Sequence, residues 1–443
     1  VIILFVLLAG GMYALDQANI RGLTAFRDFM VKHVFGDAPA TSNLLGTIAG
    51  GLITMTSNTF SLLLLALQQS AGSMSAQVFD QFLRRRLNQI YFGFFVGLAL
   101  YALIILATIS PSFNPVLGAT LALILTGVAL YVLVLLIYST ISQMRPAEII
   151  RAIHDHTLAA RDRQLSLIAR TRRAPSLPAT NRAPVQMTRD GFIVGLKLDA
   201  VAGAINQQSG PVEVVLLRSI GAYVSYHDIV AEVRGGSRDD VEEIAAAVER
   251  AIVLDRLRRL ESDPAFGIEQ LATIGWRSIS TAQQNPAPGL AAIHNLRDLL
   301  ARWAAGEDEA KDDKAREENV IAVVYPDDVL PSLFDAFEQL AIVASEAMQA
   351  QTYAEILRSF AITFPRLSDW QRRRVEDLIL RSLSALGDHV LSAELDDALT
   401  AIVRTLEDAD APVVAEAVRA AQAELATTIG HLNSRSTRVP SAS

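Results

Sequence analysis

The chain has 443 residues, a hydrophobic content of 51% and a mean hydropathy of +0.30, values that are high for a soluble protein. Acidic residues (47) outnumber basic residues (39), which argues against a nucleic-acid-binding protein that relies on positive charge. There is no cysteine, which excludes disulfides, thiolate metal sites and cysteine nucleophiles. The apolar residues are concentrated before residue 144, and the sequence beyond it has the composition of a soluble domain.

Four apolar segments lie in residues 1–143, and we expect each to cross a membrane. A span needs roughly 20 apolar residues, and residues 44–68, 90–109 and 116–141 meet that length without a charged side chain. Residues 1–15 are shorter, and we interpret them as the end of a first span that begins further upstream. A cleaved signal peptide is the alternative, but neither a basic segment nor an A-x-A cleavage site is visible.

Basic residues near the ends of the spans predict the orientation. Five arginines follow the second or the fourth span, on one side of a four-span arrangement, where we expect them to contact lipid headgroups: Arg84, Arg85, Arg86, Arg145 and Arg151. The uncharged turn of residues 110–115 suits the opposite side. This pattern predicts a multi-pass protein whose N-terminus and C-terminal domain both lie in the cytoplasm.

One helical face of the second span is formed by polar and small residues. Its members follow at steps of four and three, and we call them the polar face: Thr47, Gly51, Thr54, Asn58 and Ser61. Asn58 is costly in a bilayer unless it finds a partner. The face either packs against a helix or lines an aqueous path in an oligomer. Packing is favoured because no ring of charge accompanies the face, and because Gly46 and Gly50, like Gly93 and Gly97, have the spacing of packed membrane helices.

The sequence beyond the spans predicts a cytoplasmic α+β region. Residues 144–185 combine an arginine-rich amphipathic helix, suited either to an anionic membrane leaflet or to solvent, with a linker that contains prolines. Residues 186–236 contain short strand-like runs between glycines and predict a small β-rich module. Residues 237–432 are predicted to form a mainly helical domain, and residues 433–443 a disordered tail. The predicted fold is therefore a four-span α-helical membrane bundle followed by a β-rich module and a helical domain.

The sequence contains no recognisable catalytic machinery, since the motifs of phosphate loops, dinucleotide folds, zinc proteases and serine hydrolases are all missing. His154 and His156 form the closest histidine pair, but side chains two positions apart diverge on a helix and are poorly placed to share a metal ion. His227 and Asp228 occupy a predicted turn and suit surface positions. We therefore expect no enzyme activity, no cofactor, no metal ion and no nucleic acid partner.

Several stretches, in matching order, are similar to one bacterial membrane family. In the membrane half they are residues 44–48 (LLGTI), 60–62 (FSL) and 82–89 (FLRRRLNQ). In the soluble half they are the GAYV turn of residues 221–224, residues 263–271 (DPAFGIEQL) and a stretch to residue 286, with these motif positions: Phe266, Gly267, Ser280, Asn285 and Pro286. On these stretches the chain resembles the family called domain of unknown function 2254. The resemblance implies a four-span protein of the bacterial inner membrane with a large soluble portion, and no known activity.

Three positions depart from the family pattern by carrying neutral side chains. Tyr138 stands where the family tends to have histidine, and Thr273 and Asn285 stand where its soluble motif has carboxylates. A hydroxyl or an amide cannot replace a carboxylate as a general base or as a ligand of a divalent cation. The alternative is that the family residues cap helices or stabilise a turn, which Thr273 and Asn285 can still do.

These observations favour an oligomeric, channel-like or transport-related membrane protein with a cytoplasmic assembly or regulatory domain. The alternative is a non-enzymatic scaffold or accessory subunit of a larger membrane complex. The expected partners are the lipid bilayer and either further copies of this chain or the other subunits of such a complex.

Overall fold

The computed structural model of the chain divides it into two compact units, Val1–Arg145 and Pro146–Ser443. The structure describes residues 1–18, 23–71, 86–111, 113–143, 146–179, 182–208, 210–280, 285–309, 320–384, 386 and 390–428. In the first unit the helices are α1 (Ile2–Gln17), α2 (Thr24–Met30, continued by a π-helical turn, Val31–Phe35), α3 (Ala38–Ala71), α4 (Arg86–Ala107) and α5 (Val116–Gln143).

Two helices of the described residues, rather than the four expected, are long and apolar enough to cross a membrane. They are Ile90–Ala107 within α4 and Val116–Tyr138 within α5. Helix α1 has only 16 residues, short of a full span. Helix α3 contains the second predicted span, but the polar face makes its described side chains less apolar than those of α4 and α5.

The helices of the first unit share one apolar core. Phe5 of α1, Leu45 of α3 and Phe95 of α4 are buried in it, together with Phe35 of the π-helical turn. Large apolar side chains also cover much of the outer surface: Ile3, Leu4, Leu7, Ile124, Val128, Val134 and Leu135 are all exposed. Apolar side chains on the outside as well as the inside are tolerated when the surrounding solvent is lipid.

The contact between α1 and α4 depends on two glycines four residues apart. A β-carbon at Gly97 would lie only 2.5 Å from the ring of Phe5, and one at Gly93 would lie 3.1 Å from the side chain of Val1. The small-residue spacing therefore marks helix packing here. By contrast, a β-carbon at Gly46 or Gly50 would meet no atom within 4 Å.

Asp16 joins the end of α1 to the start of α5. Its buried carboxylate accepts hydrogen bonds from the backbone N–H groups of Leu117 (3.0 Å) and Gly118 (2.9 Å), which have no acceptor within the helix. The hydroxyl of Tyr101 donates to the carbonyl oxygen of Gly118 at 2.9 Å. A side chain about a hundred residues away in sequence thus caps the first turn of α5.

The second unit is built from helices around two small sheets. The strands are β1 (Thr171–Arg172), β2 (Arg182–Gln186), β3 (Gly191–Leu196), β4 (Val212–Leu216), β5 (Tyr223–Val224), β6 (Ile229–Gly235), β7 (Ile252–Asp255) and β8 (Ile321–Val324). The helices are α6 (Pro146–Ile168), α7 (Leu198–Asn206), α8 (Arg238–Ala251), α9 (Pro264–Ile279), α10 (Ala287–Glu309), α11 (Val329–Glu346), α12 (Ala350–Thr363), α13 (Asp369–Leu383), α14 (Ala393–Asp408) and α15 (Pro412–Thr428).

The larger sheet has the order β1-β8-β4-β6-β2, and the smaller, antiparallel sheet has the order β5-β3-β7. Strand β8 pairs in parallel with both β1 and β4, whereas β6 is antiparallel to β4 and β2. The sheets extend beyond the expected module of residues 186–236, since β7 and β8 follow it in sequence. Each is a run of only four residues, too short for its periodicity to distinguish a strand from part of a helix.

Helix α6 corresponds to the expected amphipathic helix after the last span. Its apolar face, including Ile149, Ile150 and Ile153, is buried, and the helix packs against α9 and α10. Protein therefore covers the apolar face of this helix. Its polar side remains exposed, including Arg151.

The segment expected to be a proline-containing linker includes β1 and most of β2, and Glu213 of β4 holds the chain between them. The fully buried carboxylate accepts hydrogen bonds from the backbone N–H groups of Ser176 (3.0 Å) and Leu177 (3.1 Å) and from Arg172 Nη1 (2.9 Å). Burial by itself raises the pKa of Glu213, but these donors outweigh it and hold the pKa below its ordinary value.

Replacing Gly97 by alanine should destabilise the first unit, because the added methyl group overlaps the Phe5 ring. Overpacking of this kind costs about 1–3 kcal/mol. The matched control is Gly127→Ala in α5, where a β-carbon meets nothing within 4 Å. Thermal unfolding of the two variants in detergent, followed by circular dichroism, should show a lower midpoint for Gly97→Ala alone; equal midpoints would contradict the α1–α4 contact.

Replacing Glu213 by glutamine should lower the free energy of unfolding at pH 7 by about 1–3 kcal/mol, because the amide group cannot accept all the donors around it. The folded-state pKa lies below the unfolded value of 4.5, so the carboxylate stabilises the fold above pH 4.5 and loses this effect as the pH falls through the folded pKa. The difference in the free energy of unfolding between wild type and variant should therefore become smaller in acid. The exposed Glu243→Gln is the control, and thermal melts across the pH range measure the stability of each protein. A stability difference between wild type and Glu213→Gln that widens in acid would rule out this role of the carboxylate.

Candidate functional site

The polar face of α3 lies on the outer surface of the first unit. All five of its residues are exposed, while Leu45, Ile48 and Leu52 of the same helix are buried. Each hydroxyl on the face donates to the carbonyl oxygen four residues earlier: Thr47 to Asn43 (2.8 Å), Thr54 to Gly50 (2.9 Å) and Ser61 to Ser57 (3.0 Å). Asn58 forms no hydrogen bond among the described residues. No helix of the same chain covers the face in the part of the chain that the structure describes.

Only two of the five arginines expected at lipid headgroups lie among the described residues. Arg84, Arg85 and Arg145 lie outside the described residues, as does the expected tail of residues 433–443. Arg86 begins α4, and Arg151 is exposed on α6. Tyr138, one of the neutral departures from the family pattern, is also exposed near the end of α5.

The motif positions of the soluble half pack helices and form turns. Phe266 is buried, and a β-carbon at Gly267 would overlap Oγ1 of Thr157, so glycine allows α9 to approach α6 closely. Ser280 ends α9 and donates to the carbonyl oxygen of Arg277 at 3.1 Å. The side-chain oxygen of Asn285 accepts from the N–H of Ala287 at 3.3 Å, where α10 begins after Pro286.

These contacts show where two of the neutral side chains, Asn285 and Thr273, lie in the fold. Asn285 stabilises the turn that leads into α10, which is the role that the capping alternative gives it. Thr273 is half-buried on α9. Among the described residues there is no group of three or more histidine, aspartate or glutamate side chains that could hold a metal ion.

Two separate stretches that carry the family resemblance meet in space. Asp263 accepts a hydrogen bond from the N–H of Phe266 (2.9 Å), which caps α9, and pairs with Arg258 (2.7 Å). The guanidinium of Arg258 lies 4.8 Å from the centre of the Phe266 ring. Gly221 has a φ of +99°, and a β-carbon there would overlap the carboxylate of Asp263. Glycine is therefore required at this turn for both its conformation and its contact.

A buried polar network continues from this turn to α6; we call it the junction network. The N–H of Ile220 donates to the hydroxyl oxygen of Tyr325 at 2.9 Å, and Gln164 contacts the same oxygen at 3.3 Å. Arg161 donates to Gln164 and makes two bonds of 2.7 Å to the carboxylate of Asp327. The network thus links the glycine turn, the end of β8 and α6.

The surroundings of the junction network show what its groups can do. Burial raises the pKa of Asp263 even though Arg258 opposes the shift, and burial also raises the pKa of Tyr325. These side chains have hydrogen-bonding partners, and Arg161 is only 4% exposed. The arrangement suits a structural role that holds the sheet against α6 and α9, rather than that of a nucleophile or base open to substrate.

Sequence reasoning missed the junction network, although one signal was present. Arg161 and Gln164 fall on the same helical face as the buried Ile150, Ile153 and Thr157 of α6. A charged or amide side chain on an otherwise buried face needs a partner, so this pattern indicates a buried polar contact. It cannot indicate that the partner is Asp327.

Comparison with known proteins gives a family and distant relatives. A family model described as "Predicted membrane protein (DUF2254)" matches residues 1–358. The chain is 22% identical over 319 residues to two proteins named uncharacterized, Rv1290c of Mycobacterium tuberculosis and Mb1321c of Mycobacterium bovis. The match covers 68% of this chain and 60% of each relative, so the chain spans less than two thirds of their length. No solved structure matches the chain.

Replacing Tyr325 by phenylalanine should destabilise the second unit, because the buried N–H of Ile220 loses its acceptor. Such an unsatisfied group costs about 1–3 kcal/mol. Tyr223→Phe is the control, since that side chain is exposed, and surface changes are usually within about 0.5 kcal/mol. Denaturant unfolding of the full chain in detergent measures both variants, and equal stabilities would show that the hydrogen bond to Tyr325 contributes nothing.

Proposed function

Because the chain belongs to the family of predicted membrane proteins described as DUF2254, we propose that it is a multi-pass protein of the bacterial inner membrane that assembles as an oligomer. In this proposal α1, α3, α4 and α5 all enter the bilayer, and both termini lie in the cytoplasm. The core that α1 and α3 share with the two apolar helices supports this arrangement. So do the exposed apolar side chains of α1, which are costly in water and favourable in lipid.

The observation that carries the proposal is the exposure of the polar face of α3. Glycine adds no side chain to it, and a β-carbon at Gly50 or Gly51 would have open space. In lipid, the Asn58 amide would have no hydrogen-bonding partner, at a cost that is relieved by a polar neighbour or by water. Contact with α3 of another copy would supply the polar neighbour, and a path between copies would supply the water.

We propose a channel-like assembly in which the α3 helices of several copies face one another. The hydroxyls of Thr47, Thr54 and Ser61 donate their hydrogen bonds to carbonyl oxygens of their own helix. Their oxygen lone pairs therefore remain on the outer face as acceptors. A ring of such acceptors with the Asn58 amides suits a weakly polar, uncharged lining. The larger second unit would then serve assembly or regulation on the cytoplasmic side.

The absence of cysteine makes a direct test available, because a single introduced thiol reports on one position. Asn58→Cys should form disulfide-linked dimers when membranes are oxidised, since the same position on neighbouring copies is brought together. Ile124→Cys is the control: this residue is exposed on apolar α5 and faces lipid in the proposal. Denaturing, non-reducing gels measure cross-linking for both variants.

A membrane-impermeant thiol reagent then distinguishes a conduit from a closed helix contact. Labelling of Asn58→Cys and Thr54→Cys in intact membranes, with conductance of the reconstituted protein, would support a water-filled path. Cross-linking without labelling would support a closed contact and reject the conduit. The absence of both cross-linking and labelling at position 58 would reject assembly through α3.

A further inference from the structure

An open cavity of about 810 Å³ lies on the larger sheet of the second unit. The cavity is lined by Arg182 and Pro184 of edge strand β2 and by Ile229 and Glu232 of the neighbouring β6. Leu217 and Arg218, which follow β4, and the β5–β6 turn complete it. Its volume is in the range of small-molecule sites, roughly 300–1,000 Å³.

His227 occupies the turn at the edge of this cavity in a strained backbone conformation. Its φ is +69°, in the left-handed region that glycine adopts without cost. The N–H of His227 donates to the carbonyl oxygen of Met187 at 2.8 Å, and the ring packs on Tyr226 with centroids 4.1 Å apart. Nδ1 lies 3.4 Å from Oε1 of Gln186, and Nε2 has no partner among the described residues. The side chain is exposed, so Nε2 is open to a ligand.

The charges around the cavity leave a guanidinium available. Glu232 is paired through both oxygens, with Arg182 at 2.9 Å and Arg234 at 3.2 Å, so two cations surround one carboxylate. Asp228 accepts from the N–H of Ser225 at 2.8 Å. Arg218 is exposed and has neither an ion pair nor a hydrogen bond among the described residues. The unpaired guanidinium presents a planar set of donors, which matches a carboxylate or a phosphate.

The walls of the cavity also offer apolar surface. Leu217 and Ile229 are each 43% exposed, although both belong to or adjoin strands whose other face is buried. Pro184 adds a third apolar side chain. A ligand that covers these groups gains from the burial of apolar area, in addition to any contact with Arg218.

We propose that this cavity binds a small organic oxyanion, with its charged group held by Arg218 and His227 and its apolar part lying on Leu217 and Ile229. With its proton on Nε2, the His227 ring donates a hydrogen bond to the anion. The shared chemistry is that of a phosphate ester, from either a soluble metabolite or a lipid headgroup. The site does not depend on whether the first unit assembles through α3.

Phenyl phosphate is the probe, and equilibrium dialysis of the full chain in phosphatidylcholine nanodiscs measures its binding. Arg218→Ala should weaken binding about tenfold, as expected for the loss of a charge-assisted hydrogen bond. His227→Gly should also weaken binding while thermal unfolding shows an intact fold, because glycine accepts a φ of +69°. Arg189→Ala is the matched control, an exposed arginine of the same unit that does not line the cavity.

The results separate the proposal from its alternatives. Binding that Arg218→Ala and His227→Gly both weaken, and that Arg189→Ala leaves unchanged, supports the site. No retention of phenyl phosphate, or equal retention by all four proteins, overturns it. Inorganic phosphate that binds as tightly as phenyl phosphate overturns the role of the apolar wall. Where the site is supported, nanodiscs that contain phosphatidic acid identify the source: reduced binding of the probe indicates a lipid headgroup, and unchanged binding indicates a soluble ester.

Discussion

The second unit depends on the ion pair between the buried Arg161 and the partly exposed Asp327. A guanidinium that is 4% exposed has lost nearly all of its water, and without the two 2.7 Å bonds to Asp327 its charge would be uncompensated. The pair connects α6 to the segment between β8 and α11, and Trp303 of α10 lies 5.8 Å from the same guanidinium. Through Gln164 and Tyr325 it also holds the glycine turn that packs on Asp263. Removal of Asp327 would therefore leave the buried charge of Arg161 without its counterion, at the point where the sheet and the helices meet.

Close approach of backbones at glycine is the second constraint, and both units use it. Gly97 admits the ring of Phe5 in the first unit, while Gly267 and Gly275 admit Thr157 and Leu340 in the second. At each position a β-carbon would lie closer than side chains tolerate, so interhelical distance depends on the missing methyl group. Gly46 and Gly50 have the same spacing as Gly93 and Gly97 but meet no neighbour within the chain. This open surface accompanies the exposed polar face of α3, on which the proposal of contact between copies rests.

Much of the local structure could be predicted from the residues. Helices α4 and α5 follow from long apolar runs, α6 follows from its periodicity, and the polar face of α3 lies on one side because helical spacing places it there. The strands β7 and β8 could not be predicted, because four apolar residues do not reveal their pairing partners. The arginines of α6 could not be assigned correctly either: Arg161 is buried in protein, whereas Arg151 on the same helix is exposed.

What the sequence by itself determined is therefore local: where the chain is apolar, which residues share a helical face, and that no cysteine or known catalytic motif is present. Only the tertiary structure decided that Gly97 packs within the chain while Gly50 meets no neighbour there, that Asp16 caps α5, and that the glycine turn meets the stretch at Asp263. It also decided that Arg218 and His227 border one cavity. The physical reason is that helical periodicity depends on residues within a few positions of one another, whereas burial and pairing depend on groups brought together by the whole fold. Arg161 and Asp327 are 166 residues apart, and no local pattern relates them.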